Sequence, residues 1–429
     1  MKQLFLTAVL CLSSLLGAYG EVDPNFHIYL CFGQSNMEGN AQWESIDTYV
    51  DSRFQMLATC NFNNPSRQMG KWYTAKCPIV SPQGKLGPTD YFGRTMVAAM
   101  PADVRIGVVA VAMGSSPIEM FDKDKYQKKL KDNPNEWWAI LANQYYGGNP
   151  YGRLVEMGKK AQESGVIKGI LLHQGCSNCG DPNWPNMVKK IYNDLLTDLG
   201  LQAEDVPLFV GEVEYANQGG GCSSHNTVVA NIPNVIPTGH VVSAEGLPGN
   251  GQDSWHFSAL GYRIFGKRYA FEALKLMGKP LQKDPAYKLP DNLTKLTSVT
   301  KLTTVDNLKI RVGVAKQLTV FATFADGHKE NITKTANYSS DDFTVTTDGI
   351  VTANAAKTGS VTISYTDFTG QEIAVTITVI ANDPTGVGDA ALADKEVSIG
   401  KHVYDLQGRR VAHPVKGLYI MKGKKVVVK

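Results

Sequence analysis

Four apolar runs, at 26–32, 104–112, 167–172 and 206–211, each stop abruptly at small or polar residues, and helical stretches separate the later ones. Almost uncharged runs of this kind suit strands buried on both faces, the situation inside parallel sheets. Helical patterns fall between the runs at Arg153–Ser164 and Met187–Leu199, and a last helix opens at Ser258 and runs through about Leu276. Leu260, Ile264, Tyr269, Phe271 and Leu274 form its core-facing stripe. A shorter strand lies around His240–Val242. Strands alternating with helices predict a mostly parallel sheet covered on both faces, a three-layer α/β/α domain.

Such sheets build their sites at the carboxyl ends of the strands. The first run ends in Gly33-Gln34-Ser35-Asn36-Met37, a strand-to-helix turn. Gly33 permits the bend, and Ser35 stands where backbone N–H groups lack helical partners. The plain reading of Ser35 is a helix cap; the sharper one is a nucleophile beside its own oxyanion-binding N–H. The second run ends at Gly114 and the third in His173-Gln174-Gly175-Cys176-Ser177-Asn178. The fourth ends in Glu212 and Glu214. Asp253 and His256 lie three residues apart just before the last helix, a spacing that lets the carboxylate reach one imidazole nitrogen while the other points away.

The order Ser35, Gly114, the Gln174/Asn178 block and Asp253…His256 resembles the SGNH hydrolases. Within them it is similar to the sialate O-acetylesterase and acetylxylan esterase group, carbohydrate esterase family six. The motifs GQSNM (33–37), the Gly114 strand end, HQG (173–175) and DxxH (253–256) carry the resemblance across about residues 24–277. It implies a flavodoxin-like sheet with Ser35 as nucleophile, His256 as general base and acid, and Asp253 as its orienting carboxylate. The implied oxyanion hole is the N–H groups of Ser35 and Gly114 with the side-chain amide of Gln174, or Asn178 as an alternative donor. His173 is expected to be structural. No metal and no organic cofactor are implied. The family usually continues HQG with Glu, where this chain has Cys176, so a disulfide from Cys176 is the expected substitute support for that loop. The implied reaction is removal of O-acetyl groups from glycans. Acetylxylan-like and sialate substrates are the two enzyme readings, and a non-catalytic glycan-binding protein is the alternative outside that class. Trp43, Trp72 and Tyr73, in an irregular stretch at 41–92, either stack on sugar rings or cover the core.

At 429 residues the chain needs more than one domain. Residues 1–20 read as a cleaved signal peptide, with Lys2 ahead of an apolar stretch and Ala18-Tyr19-Gly20 at the cleavage site, which predicts a secreted or surface protein. The hydrolase domain is expected to span 21–282. From 291 to 381 short alternating segments with Asp-Gly and Thr-Gly turns predict a small all-β sandwich resembling bacterial Ig-like modules. A linker follows at 382–398. Residues 399–429, with YDLQGRRV, GLYI and a Lys/Val end, look like a type IX secretion sorting tail, which implies the secretion machinery as a partner. A net charge of +3 gives no reason to expect nucleic-acid or membrane-surface partners, and no later apolar run is long enough to span a bilayer. Six cysteines follow the leader. Cys60 and Cys77 bracket a turn-rich loop, and a bridge between them would stabilise by roughly 3 kcal/mol; the pairing stays open. The Cys176/Cys179 CxxC is expected to bridge locally or with Cys222, since no second CxxC or HxxxH completes a zinc site. Cys31, in an apolar strand, is expected to be a free core thiol.

Overall fold

The first apolar run becomes β1 (Phe26–Gly33) in the computed structural model, which describes residues 22–278, 291–367, 371–382, 403–405, 410–411, 416–421 and 424–428. The expected leader, and the expected linker beyond Asn382, lie outside the described residues. Six more strands complete one sheet: β2 (Phe54–Leu57), β3 (Trp72–Thr74), β4 (Arg105–Ala112), β5 (Val166–His173), β6 (Leu208–Gly211) and β7 (Gly239–Val242). Their order is β3-β2-β4-β1-β5-β6-β7, and every neighbouring pair is parallel except β2 with β3. The chain thus builds outward from β1 on one side and then on the other, a topological switch point. Register brings Gly33 level with both Ala112 and His173, so three strand-end loops leave the sheet side by side.

The helices are α1 (Ser35–Glu38), α2 (Pro88–Ala99), α3 (Tyr126–Asp132), α4 (Trp137–Tyr146), α5 (Pro150–Gln162), α6 (Trp184–Leu199), the short α7 (Asn226–Val229) and α8 (Ile232–Val235), α9 (Ala259–Leu276) and α10 (Asp291–Thr297). α5 starts ahead of its periodic stretch because Asn149 caps it, accepting the Gly152 N–H at 2.8 Å, with Pro150 in the first position. Ser258 caps α9 through the Gly261 N–H at 3.1 Å. α2 begins inside the stretch expected to be irregular and runs on beyond it. Nearly all of it is buried, Asp90 and Arg94 included, so its sequence carries no polar face. It packs on α9 at Gly266, where a Cβ would come within 2.3 Å of the Pro88 carbonyl oxygen.

Trp72 and Tyr73 lie on the β3 edge: Trp72 packs on Phe26 with centroids 4.7 Å apart and donates to Ser164, while the Tyr73 hydroxyl accepts from Gln68 N–H. With the partly buried Trp43 they cover the core. Cys31 is a free, fully buried thiol. Cys60 and Cys77 are free thiols, and Cys77 turns toward α2 and donates to Asp90 Oδ2 at 2.8 Å.

A second hydrophobic core runs from Val299 to Ala381 and belongs to small β sheets, the longest pairing being the antiparallel strands Lys357–Thr366 and Glu372–Asn382. This β unit is fastened to α9. Lys267, fully buried, ion-pairs with Glu330, donates to the Leu296 carbonyl at 3.2 Å and lies 4.0 Å over the Phe324 ring; Arg268 meets the same Glu330 at 3.1 Å. Strands Val403–Tyr404, Arg410–Val411, Gly417–Met421 and Lys424–Val428 form a separate four-stranded sheet.

Arg263 of α9 ties the helix to the loop after α1. It bonds Asp47 at 3.0 and 2.7 Å and Glu44 at 2.6 Å, and Asp47 also accepts the α2 hydroxyl of Tyr91 at 2.8 Å. Arg263→Ala leaves the buried Asp47 carboxylate without its cation, so a loss of roughly 3–5 kcal/mol is expected. Urea denaturation checks it, and a variant within about 1 kcal/mol of the parent contradicts it.

Candidate active site

The turn after β1 needs glycine at 33. With φ of 151° its hydrogen faces the β5 end, where a Cβ would sit 2.0 Å from the His173 carbonyl oxygen. The next residues form α1, and Ser35 is its first residue, so the Ser35 N–H has no acceptor within the helix. His256 comes from the loop before α9, 221 residues away in sequence, and its Nε2 lies 2.8 Å from Ser35 Oγ. Its Nδ1 lies 2.9 Å from Asp253 Oδ2. The other carboxylate oxygen of Asp253 accepts the Trp255 and His256 N–H groups at 2.8 and 3.0 Å, and Asn250 donates to Oδ2 at 3.0 Å. Burial pushes the Asp253 carboxyl up, but the hydrogen bonds from His256, Asn250 and Trp255 outweigh it and hold it at about 2. Asp253 is therefore an anion throughout the neutral range, and the imidazole nitrogen facing it carries the proton. Ser35 and His256 are both partly exposed, so the chain of three opens to solvent.

The expected oxyanion donors fare differently. The Gly114 N–H donates to Glu38 Oε2 at 2.8 Å, so it is already engaged. Trp184 Nε1 donates to Gln174, which fixes the oxygen of that amide; the nitrogen then donates to Ser116 O at 3.2 Å and Asn178 Oδ1 at 2.7 Å. Both Gln174 hydrogens are thus spent, and the residue is fully buried. Asn178 Oδ1 also accepts the Ile118 N–H at 2.9 Å, and its nitrogen donates one hydrogen to Glu119 at 3.1 Å, which leaves the other. His173 is buried between Phe257 and Phe265, with Nε2 on the Glu212 carbonyl at 2.9 Å. Burial pushes it down to about 4, so it stays neutral.

Three residues around the serine were not singled out by sequence reasoning. Gln34 Oε1 accepts the Gly175 and Ser177 N–H groups at 3.1 and 3.2 Å, holding the β5 loop. Asn36 donates to the Trp255 carbonyl at 2.9 Å and accepts the Tyr262 hydroxyl at 2.6 Å, holding the histidine loop to α9. Glu38 accepts Ser81 at 2.6 Å, Gln83 at 3.0 Å and Gly114, holding the β4 loop. Gln34 and Asn36 lie inside GQSNM and Glu38 directly follows it, and that position is their only sequence signal, since so short a helix carries no burial pattern.

A family model for carbohydrate esterases, the sialic acid-specific acetylesterase family, matches residues 25–275, more than half of the 429. The chain belongs to this family. It is a carbohydrate acetylesterase. Solved structures with similarity include a protein of Arabidopsis thaliana (20% identity, TM-score 0.44, covering 59% of this chain and 99% of the other). NanS aligns at 16% identity and TM-score 0.46 over 60% of this chain and all of its own. A carbohydrate acetylesterase of Xanthomonas citri aligns at 14% identity and TM-score 0.40 over 82% of this chain and 79% of its own.

In this esterase Cys176 is a free thiol and does not brace the β5 loop. The disulfide is Cys179–Cys222, with Cα atoms 5.8 Å apart, and it joins that loop to the one after β6. Among the described residues, one acidic cluster has metal-like spacing, Asp122, Asp124 and Asp194, and Lys190 Nζ fills it at 2.9, 2.7 and 2.8 Å. Two indoles are exposed: Trp255, next to His256 in sequence, rests on Gly221, and the Nε1 edge of Trp137 lies over Gly114.

Glu214 lies behind the Asp253 loop. It is 3% exposed, its Oε2 has no hydrogen-bond partner among the described residues, and a Cβ on Gly249 would fall 1.9 Å from its Oε1. Burial, with the Asp253 charge beside it, pushes its carboxyl up to about 7. The folded state therefore holds a proton that the unfolded chain gives up near pH 4.5. Stability falls as pH rises from there through about 7 and then levels off. Glu214→Gln removes this slope. The gain in stability of the variant over the parent should widen by on the order of 2 kcal/mol between pH 5 and pH 8. Parallel pH-dependent melts test it, and a constant gap rules it out.

Proposed function

We propose that this carbohydrate acetylesterase works as a serine hydrolase through Ser35, His256 and Asp253. The observation that carries the reading is the continuous hydrogen-bonded chain from Asp253 Oδ2 through both imidazole nitrogens to Ser35 Oγ. Ser35 Oγ attacks the acetyl carbonyl carbon while its proton passes to His256 Nε2. The tetrahedral oxyanion is received by the Ser35 N–H and by the remaining amide hydrogen of Asn178, on the loop that Gln34 holds against the serine turn. This keeps the alternative donor in place of Gln174 and leaves Gly114 to Glu38. Collapse breaks the ester C–O bond, and His256 gives its proton to the departing sugar oxygen. Water, deprotonated by the same imidazole, then releases acetate and restores Ser35.

Acetylated plant-type glycans are the proposed substrates, with acetylxylan-like activity ahead of sialate deacetylation. The protein is proposed to be exported through residues 1–20 and the 399–429 tail, with the Ig-like unit at 291–381 as an accessory. The Cys179–Cys222 disulfide supports an oxidising compartment.

Acetate release from acetylated xylan and from O-acetylated sialic acid, followed in parallel, is the deciding measurement. Ser35→Ala should lower kcat on the order of 10⁶-fold. Asp253→Asn should lower it on the order of 10⁴-fold by presenting the wrong imidazole tautomer. Acetate release by the Ser35→Ala protein at the parent rate would falsify the nucleophile assignment. Glycan binding without acetate release by the parent would favour a non-catalytic binder.

A further inference from the structure

A cleft of about 230 Å³ has Ser115, Lys129, Asn133, Glu136, Trp138 and Ser177 in its lining. Two of these residues come from the loops that border Ser35. Ser115 follows Gly114, and the Ser177 N–H is bonded to Gln34. Lys129, Asn133 and Glu136 come from α3 and the link to α4, and Trp138 is a buried wall. Trp137, between the lining residues Glu136 and Trp138 in sequence, has 53% of its surface in solvent and its indole edge against Gly114, the neighbour of Ser115. A tryptophan so exposed at the mouth of a site presents a flat apolar face that water solvates poorly.

We propose that this cleft is a glycan subsite in which Trp137 stacks on a neutral pyranose ring of an acetylated oligosaccharide. The inference rests on the carbohydrate-esterase reading above and names its substrate class. Size is the first argument: the cleft is below the roughly 300–1,000 Å³ of pockets for drug-sized ligands and suits one sugar ring. Chemistry is the second. Ser115 and Ser177 are exposed hydroxyls, and Glu136, the N-cap of α4, does not spend its carboxylate on capping. Asn133 donates to the Lys129 carbonyl, which leaves its side-chain oxygen as an acceptor. Carboxylate, amide oxygen and hydroxyls together accept from and donate to sugar hydroxyls. Charge is the third. Lys129 is the only cation in the lining, and it is paired with Glu119 at 3.2 Å. With Glu136 unpaired by any cap, the wall repels a sugar carboxylate, so sialic acid is disfavoured there.

The test is binding, so that it does not depend on turnover. Full-length Ser35→Ala protein is titrated with an acetylated xylo-oligosaccharide and, separately, with an O-acetylated sialoside, by calorimetry and tryptophan fluorescence. The neutral ligand should bind at least tenfold more tightly than the sialoside. Adding Trp137→Ala should weaken it at least tenfold, and Trp137→Phe should recover most of the loss. Adding Glu136→Gln should weaken the xylo-oligosaccharide severalfold and narrow the gap to the sialoside. Equal affinity for the two ligands, or a Trp137→Ala affinity within twofold of the parent, overturns the subsite. An intact protein that binds the xylo-oligosaccharide through Trp137 but releases no acetate leaves the subsite standing and removes the esterase mechanism instead.

Discussion

The alternate side chains Gln34, Asn36 and Glu38 are the fastening on which the rest of the site depends. They are buried polar groups on a single helical turn, and each reaches a different loop: Gln34 the end of β5, Asn36 the histidine loop and α9, Glu38 the end of β4. Ser35 stands between them. A buried polar group left without partners costs on the order of 1–3 kcal/mol, so each side chain resists any arrangement in which its loop drifts away. Displacing one loop from the turn therefore exposes or orphans a buried amide or carboxylate. The 2.8 Å contact between Ser35 and His256 is the visible result, held across 221 residues of chain.

The same fastening engages one of the expected oxyanion donors, Gly114, and a second, Gln174, is bonded to Asn178. Gly114 was readable as a small residue at a strand end, which is enough to place it beside the serine. Whether its N–H is free depends on Glu38, an acidic residue that nothing in the sequence marks as buried. Burial pushes the Glu38 carboxyl up, and three donors, Ser81, Gln83 and Gly114, push the other way. Gln174 followed the same course: its position was legible, but its amide is consumed by Trp184, Ser116 and Asn178.

The large sheet was legible because β1, β4 and β5 are buried on both faces and so must be written as unbroken apolar runs. Ser35, Asp253 and His256 could be picked out because their spacing and order have chemical meaning. α2 was not legible, because Asp90 and Arg94 are buried as a pair at 3.3 Å and blur the pattern that a half-exposed helix would show. α4 was not legible for a different reason: Trp137 and Ile140 face solvent, so its apolar residues run all round. Disulfide pairing was open for a topological reason. Cys179 and Cys222 leave adjacent parallel strands at the same edge of the sheet, whereas Cys77 is drawn to Asp90. Strand order, rather than spacing along the chain, decided which thiols met.

α9 extends the reasoning beyond the site. It begins three residues after His256, and its first turn carries Tyr262 to Asn36 and Arg263 to Asp47. One turn later Gly266 lets α2 approach, and Lys267 and Arg268 meet Glu330 of the β unit. The helix is thus a spine whose start positions the histidine loop and whose middle is held from outside by a buried ion cluster. Taking Glu330 away would strip Lys267, a fully buried ammonium, of its ion pair and leave it only the charge of Asp326, which is already bonded to His328. The β unit is therefore built into the support of α9. A tether that only spaced the catalytic domain from a surface would have no use for a buried lysine at its junction.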